Sequence, residues 1–187
     1  MSVPRVYKAD AIILKRRNFG ETDRILTVFT KQYGKLRLIA KGIRRVTSRR
    51  APHLEVFTRV NVLIYRGASL DSLSEVMPVE IYKNIRTDLG RVSIAYLYCE
   101  LIDALLPEKQ EHRDIFDLFV NSLHTLNGKN ASDTYQNSRQ FALELLWRLG
   151  FLPRSKTLKG DTLKSFIESI TEKRLRTPPF ARHIASW

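Results

Sequence analysis

VYKADAIILKRRNFGETDRILTVFTKQYGKLRLIAKG, residues 6–42, decides the fold. Tyr7, Ala9, Ala11 and Ile13 alternate with Lys8, Asp10, Ile12 and Leu14, and Leu36, Leu38 and Ala40 alternate with Lys35, Arg37, Ile39 and Lys41. A repeat of two is that of a strand, whose successive side chains point to opposite faces. Between the two runs, Asp23 to Thr30 is rich in the Ile, Thr, Val and Phe that suit a pleated surface. Lys31-Gln32-Tyr33-Gly34 then ends in a glycine that can take positive φ, which predicts a β-hairpin. Two more strands are expected at Val56 to Tyr65, closed by Arg66-Gly67-Ala68-Ser69, and at about Leu70 to Met77 before Pro78 interrupts. Five short strands before Glu80 predict a small closed barrel. The five-stranded oligonucleotide-binding (OB) barrel and the SH3-like barrel both fit, and alternation alone does not choose between them.

After Pro78 the period lengthens to that of a helix. Ile94, Leu97, Tyr98, Leu101, Ile102, Leu105 and Leu106 recur at intervals of three and four until Pro107. Ile115, Leu118, Phe119, Leu123 and Leu126 make a second face, ended by Asn127-Gly128. Phe141, Leu145, Leu146 and Leu149 make a third, capped by Gly150, and Leu163, Phe166, Ile167 and Ile170 a fourth, started by Asp161. The fold class is therefore α+β, with a barrel over residues 1–79 and an all-α helical domain over residues 80–187. The apolar stripes, with Trp147 and Phe151 among them, read as core, and Cys99 beside them reads as a small hydrophobe.

The chain has 187 residues with 32 Lys+Arg against 19 Asp+Glu, a net charge of +13, and 43% hydrophobic residues supply a real core. No run approaches the eighteen or so apolar residues of a membrane-spanning helix, and the first twenty residues carry no signal-peptide core, so a cytoplasmic protein is expected. The single cysteine excludes an internal disulfide, and four scattered histidines offer no metal spacing. The positive charge is concentrated: from Lys15 to Arg50 there are 12 basic residues against Glu21 and Asp23, 12 − 2 = +10. Such a field attracts polyanions, and nucleic acid is favoured over anionic lipid because the cations follow strand alternation and not one face of an amphipathic helix.

No phosphate-binding glycine loop and no paired nucleophile and base emerge from the chain. Glu21 and Asp23 are a close carboxylate pair, but a two-metal site needs further converging acids. A polar turn whose acids pair with Arg16, Arg17 or Arg24 is the better reading. Binding is thus expected, with no metal and no cofactor. Lys41-Gly42-Ile43-Arg44-Arg45-Val46-Thr47-Ser48-Arg49-Arg50 leaves a strand with five cations in ten residues. Arginine offers phosphate a planar fork and lysine a point charge. Phe19, Tyr33, Phe57 and Tyr65 lie in or beside the same barrel as possible base-stacking groups.

Val6-Tyr7-Lys8-Ala9 leading to Ile12-Ile13-Leu14-Lys15, then Gly20-Glu21-Thr22-Asp23-Arg24-Ile25-Leu26, Phe29-Thr30, Gly34-Lys35 and Ala40-Lys41-Gly42-Ile43-Arg44-Arg45 with Ser48, resemble the N-terminal domain of the bacterial DNA repair protein RecO family. Tyr96-Leu97 with Glu100-Leu101, and Phe141 through Leu149-Gly150-Phe151-Leu152-Pro153, resemble its helical domain. The resemblance implies an OB-fold barrel that binds single- and double-stranded DNA and anneals complementary strands. It also implies partners: RecR, the C-terminal tail of single-stranded-DNA-binding protein, and indirectly RecA, in a nucleoid-associated, cytoplasmic setting. Carried over by position, Lys35, Arg37, Lys41, Arg44 and Arg45 are expected DNA contacts. Charge alone adds Arg49 and Arg50, together with Lys15, Arg16 and Arg17. Many relatives carry a four-cysteine zinc module after the Leu-Gly-Phe-Pro-like stretch, and Arg154 to Gly160 has no cysteine, so a compact, metal-free member is expected. Two other readings compete: a scaffold whose barrel chiefly holds a protein such as RecR, and a metal-dependent nuclease.

Overall fold

The computed structural model describes residues 5–46, 48–128 and 134–176. Five strands, β1 (Val6–Phe19), β2 (Asp23–Thr30), β3 (Gly34–Ala40), β4 (Arg59–Tyr65) and β5 (Asp71–Glu80), close in the order β1-β2-β3-β5-β4. The first strand makes closure possible because it is long enough to serve two neighbours. Residues 6–12 pair with β4 and residues 11–19 with β2, both antiparallel. A short parallel contact, Leu38 with Asp71 and Ile39 with Ser72, seals β3 to β5. This is the five-stranded OB barrel. Its interior is filled by the inward rows, among them Tyr7, Ala11 and Ile13, Leu26 and Val28, Leu38, Val62 and Ile64. Full burial of each large apolar side chain stabilises the fold by about 1.5–3 kcal/mol.

Alternation fails at one point in β1, and the failure matters. Ile13 faces Val28, yet Lys15 faces Thr27, so Leu14 is an extra residue in the ladder. A one-residue slip exchanges the two faces of everything beyond it. Lys15 and Arg17, which would otherwise continue the inward row of Ile13, therefore point outward. The bulge also diverts the approach to β4: the Phe57 N–H donates to the Ile13 carbonyl at 2.7 Å, and the Ile13 N–H to the Thr58 carbonyl at 3.1 Å. With Phe57 at φ 54°, the strand expected from Val56 starts only at Arg59. At the other end β5 runs through Pro78 to Glu80. Pro78 sits opposite Val60 beside a register shift, a place where its missing N–H is tolerated.

One piece of the barrel unit comes from elsewhere in the chain. Residues 106–113, which lie between two helices, cluster with residues 1–81. The Lys109 N–H donates to the Lys35 carbonyl at 2.9 Å, and Arg37 Nε lies 2.9 Å from Glu108 Oε1. This strap crosses directly over Gly34, at φ +67°. Thr30 locks the adjacent turn, its hydroxyl donating to the Gly34 carbonyl at 2.8 Å and accepting the Tyr33 N–H at 3.0 Å.

The second unit comprises residues 82–105 and those from 114 onward. Its helices are α1 (Lys83–Arg86), α2 (Leu89–Leu105), α3 (Arg113–Asn127), α4 (Thr134–Arg148) and α5 (Gly160–Thr171). The expected stripes are its core: Leu97, Tyr98, Leu101 and Ile102 of α2, Phe119 and Leu123 of α3, and Phe141, Leu145 and Leu146 of α4 are buried. Cys99 is buried with them. Phe151, by contrast, is 41% exposed and is not core. Gly150 ends α4 as expected, at φ 76°. Its N–H donates to the Trp147 carbonyl at 3.2 Å and that of Phe151 to Leu146 at 3.0 Å, the paired bonds of a Schellman cap. Two caps differ from expectation. Asn127 is the last residue of α3, and its Oδ1 accepts the N–H groups of Asn84 at 3.0 Å and Ile85 at 3.3 Å, so it caps α1 instead. Asp161 lies inside the first turn of α5, where Lys159 is the N-cap. Among the described residues no helix is long and apolar enough to cross a membrane.

Candidate nucleic-acid interface

Directly opposed residues on neighbouring strands share a face of a sheet. Lys15 faces Thr27, which faces Arg37, and Arg17 faces Ile25, which faces Ile39. These two rows lie on the outer side of β1, β2 and β3, with Phe19, 49% exposed, at their upper edge. An exposed aromatic beside a cationic, partly apolar sheet can stack a base while the cations meet phosphates. The neighbouring Arg16 turns the other way, as parity requires, and is tied to Glu55.

The basic loop after β3 is fastened to the turn between β1 and β2. The Asp23 carboxylate accepts the Gly42 N–H at 2.7 Å and the Thr22 hydroxyl at 3.0 Å. The Arg44 N–H donates to the Thr22 carbonyl at 2.8 Å, and Arg44 Nη1 to the Gly20 carbonyl at 3.0 Å. The Gly42 amide first, then the Thr22 hydroxyl and the charges of Lys41 and Arg45, hold the Asp23 carboxyl below its ordinary value. A lowered folded-state value means that the carboxylate stabilises the loop above the ordinary carboxylate range, and that this contribution is lost as pH falls through the lowered value. Ile43, fully buried, plugs the loop into the barrel.

Arg50 has a different role from the one its charge suggests. Its Nη1 donates to the carbonyls of Leu73 at 3.2 Å and Ser74 at 2.9 Å, and its Nη2 to the Lys41 carbonyl at 2.8 Å. The guanidinium thus closes the loop against the start of β5. Arg50→Ala is expected to cost about 1–2 kcal/mol of stability, read by denaturant unfolding, because three backbone acceptors lose a charged donor. A variant as stable as the native chain would remove Arg50 from this role.

The ten cations singled out by sequence therefore divide. Lys15, Arg17, Lys41, Arg44, Arg45 and Arg49 are exposed on the outer face or the loop. Arg37 is exposed but paired with Glu108. Lys35 is only 7% exposed, because the strap covers it, and does not present its charge as expected. Arg16 and Arg50 are engaged internally. The acids Glu21 and Asp23 do not make the expected pairs either: Arg24 Nε donates to Asn18 Oδ1 at 3.2 Å, while Asp23 serves Gly42. Of the aromatics, Phe57 is core at 3% exposure, whereas Phe19, Tyr33 and Tyr65 are exposed. Glu108, the acid that meets the outer face, was not visible in the sequence, since it sits more than seventy positions from Arg37 with no local pattern between them.

The family model described as recombination protein O N terminal matches residues 1–82, and the one described as recombination protein O C terminal matches residues 86–157. The chain is 40% identical over 148 residues to a DNA repair protein RecO of Symbiobacterium thermophilum, covering 79% of this chain and 58% of the relative. It is 36% identical over 150 residues to the RecO protein of a Roseiflexus species, covering 80% and 52%. For the protein of that name in a Thermoanaerobacter species the figures are 33% over 169 residues, 88% and 68%. The chain thus spans little more than half the length of the first two relatives. Two adjoining matches over both structural units, together with identity at this level, mean that the chain belongs to the recombination protein O family.

Proposed function

We propose that this chain is a DNA repair and recombination mediator that acts by binding and not by catalysis. Its barrel binds single- and double-stranded DNA through the outer face of β1, β2 and β3 and the loop at 41–50. Neutralising phosphates lowers the repulsion between two strands while leaving base edges free to pair, so complementary strands anneal without a cofactor. With RecR it promotes loading of RecA onto single-stranded DNA coated by single-stranded-DNA-binding protein, whose C-terminal tail it contacts, at the nucleoid in the bacterial cytoplasm. The relatives' name, DNA repair protein, supports the biological setting. The observation that carries the molecular reading is the pair of cross-strand rows in which the bulge at Leu14 turns Lys15 and Arg17 to the same side as Arg37.

Six exposed cations, Lys15, Arg17, Lys41, Arg44, Arg45 and Arg49, set the expected salt dependence. If each meets one phosphate of a single strand, log affinity against log salt has a slope of about −0.7 × 6, or about −4, and affinity falls about 300-fold between 50 and 200 mM salt. Fluorescence anisotropy with a labelled oligonucleotide measures it. A slope near zero, or no binding by the purified chain, would favour the scaffold reading. Glu108→Gln is expected to act in the opposite sense. Freed from its carboxylate, Arg37 adds one phosphate contact, steepening the slope by about 0.7 and raising affinity about fivefold at 100 mM salt. An unaltered slope would show that Arg37 does not reach DNA.

A further inference from the structure

The far end of the barrel carries a second cation and aromatic cluster that the outer face does not include. Tyr7, at the start of β1, is anchored by its hydroxyl, which donates to Asp71 Oδ2 at 2.5 Å. Burial, and then this carboxylate, push the phenol upward, so it stays a donor at neutral pH. Two groups are mounted on the fixed ring. The Arg66 guanidinium lies 4.9 Å from its centroid, and Tyr33 meets it edge-on at 4.7 Å between centroids. The Arg66 N–H also donates to the Arg5 carbonyl at 2.9 Å, and Tyr65 stands opposite Val6, two positions from Lys8 on the same face. Tyr33 and Tyr65 are 36% and 47% exposed.

Two of the nearby acids are already committed, and a third, Glu75, stands one strand beyond Leu63 in the cross-strand row of Lys8. Asp71 serves Tyr7 and the Gly67 N–H, and Asp10 holds Arg59 through Nε at 3.0 Å and Nη2 at 2.6 Å. Arg5, Lys8 and Arg66 are exposed and make no ion pair among the described residues. An exposed Tyr33 packed on the anchored Tyr7, a guanidinium stacked on the same ring, and an exposed Tyr65 with cations that make no ion pair have the chemistry of a single-stranded nucleic-acid platform, where base faces stack and phosphates are met by point charges. The cluster lies at the Val6 end of β1, whereas Phe19, Arg17 and the basic loop lie at its other end. Those ends are separated by a strand of 14 residues, about 40 Å of contour.

We propose that this end of the barrel is a second single-strand site, so that each chain holds two strands at once during annealing. The inference rests on the annealing activity proposed above and says where the second strand lies. A short ligand, hexathymidylate, separates the two sites. Titrated well above its dissociation constant, the native chain takes up two hexanucleotides. The double variant Tyr65→Ala, Arg66→Ala takes up one, with the remaining affinity within about twofold of native, and anneals complementary 30-mers at least tenfold more slowly. Replacing Lys15, Arg17, Arg44 and Arg45 together with alanine weakens the other site about 600-fold at 100 mM salt and leaves the second, giving one hexanucleotide again at a concentration that saturates only the second. Circular dichroism checks that both variants keep the barrel, and Arg5→Ala with Lys8→Ala repeats the test without touching an aromatic. Saturation of the native chain at one hexanucleotide, or annealing at the native rate by both far-end variants, overturns the second site while leaving the first intact. Failure of the native chain to bind any oligonucleotide overturns both readings.

Discussion

Gly34→Ala is expected to destabilise the barrel by about 3 kcal/mol or more, a fall in its unfolding midpoint of about 12 °C or more for a unit of this size. Two independent costs add. At φ +67° an L side chain is strained, by about 1–2 kcal/mol. The larger cost is steric, because a Cβ there would lie 1.8 Å from the Gln110 carbonyl oxygen and 2.5 Å from its carbon. Both are backbone atoms, so no rotamer change relieves the clash, and the strap must lift away. Lifting it breaks the Lys109 to Lys35 hydrogen bond and the Arg37–Glu108 pair and re-exposes the covered side of the hairpin. Gly150→Ala is the internal control. Its φ is +76°, yet nothing lies within 4 Å of its added Cβ, so only the strain of about 1 kcal/mol applies. Equal midpoints for the two variants in thermal unfolding would rule out the steric account.

The second large effect concerns DNA. Replacing Lys15, Arg17, Arg44 and Arg45 together with alanine removes four of the six exposed cations while touching no buried side chain. The slope of log affinity against log salt is expected to fall from about −4 to about −1.4, and affinity at 100 mM salt to drop about 600-fold, since each lost contact forgoes the release of about 0.7 counterions. These figures are for the outer face and loop, where Lys41 and Arg49 leave weak binding at low salt. The site proposed at the far end of the barrel keeps its own affinity, so the loss is read in the Tyr65→Ala, Arg66→Ala background. Arg50→Ala makes the contrast, because its guanidinium is spent on carbonyls. Its stability should change and its slope should not. A quadruple variant that keeps the native slope would place the interface somewhere other than the outer face and the basic loop.

Much of this was legible in the chain. Alternation in residues 6–42 located the first three strands, and apolar spacing located four of the five helices, because burial of one face imposes those periods directly. The parity break at Leu14 was not legible: Lys15-Arg16-Arg17 is a run of like residues, and nothing in it says which two face outward. Pairing with β2 decides that. Nor was the burial of Lys35, because the cover comes from Glu108 and Lys109 in a connector that reads as an ordinary inter-helix loop. Arg50 and Arg49 are chemically alike and adjacent, but only one meets the carbonyls at the start of β5. Charge concentration thus identified the region correctly as the most cationic part of the chain, while individual roles depended on contacts between residues distant in sequence.

The strap has a practical corollary for dissecting the molecule. Because residues 106–113 complete the barrel unit, the polypeptide passes between its two units three times, and no single scission separates them cleanly. A truncation product stopping at residue 82, where the first family match ends, would carry every strand but lack the strap that meets Gly34, Lys35 and Arg37. Poor solubility of such a fragment would report a missing piece of its own architecture, and supplying the 106–113 octapeptide through a short linker after β5 should restore it.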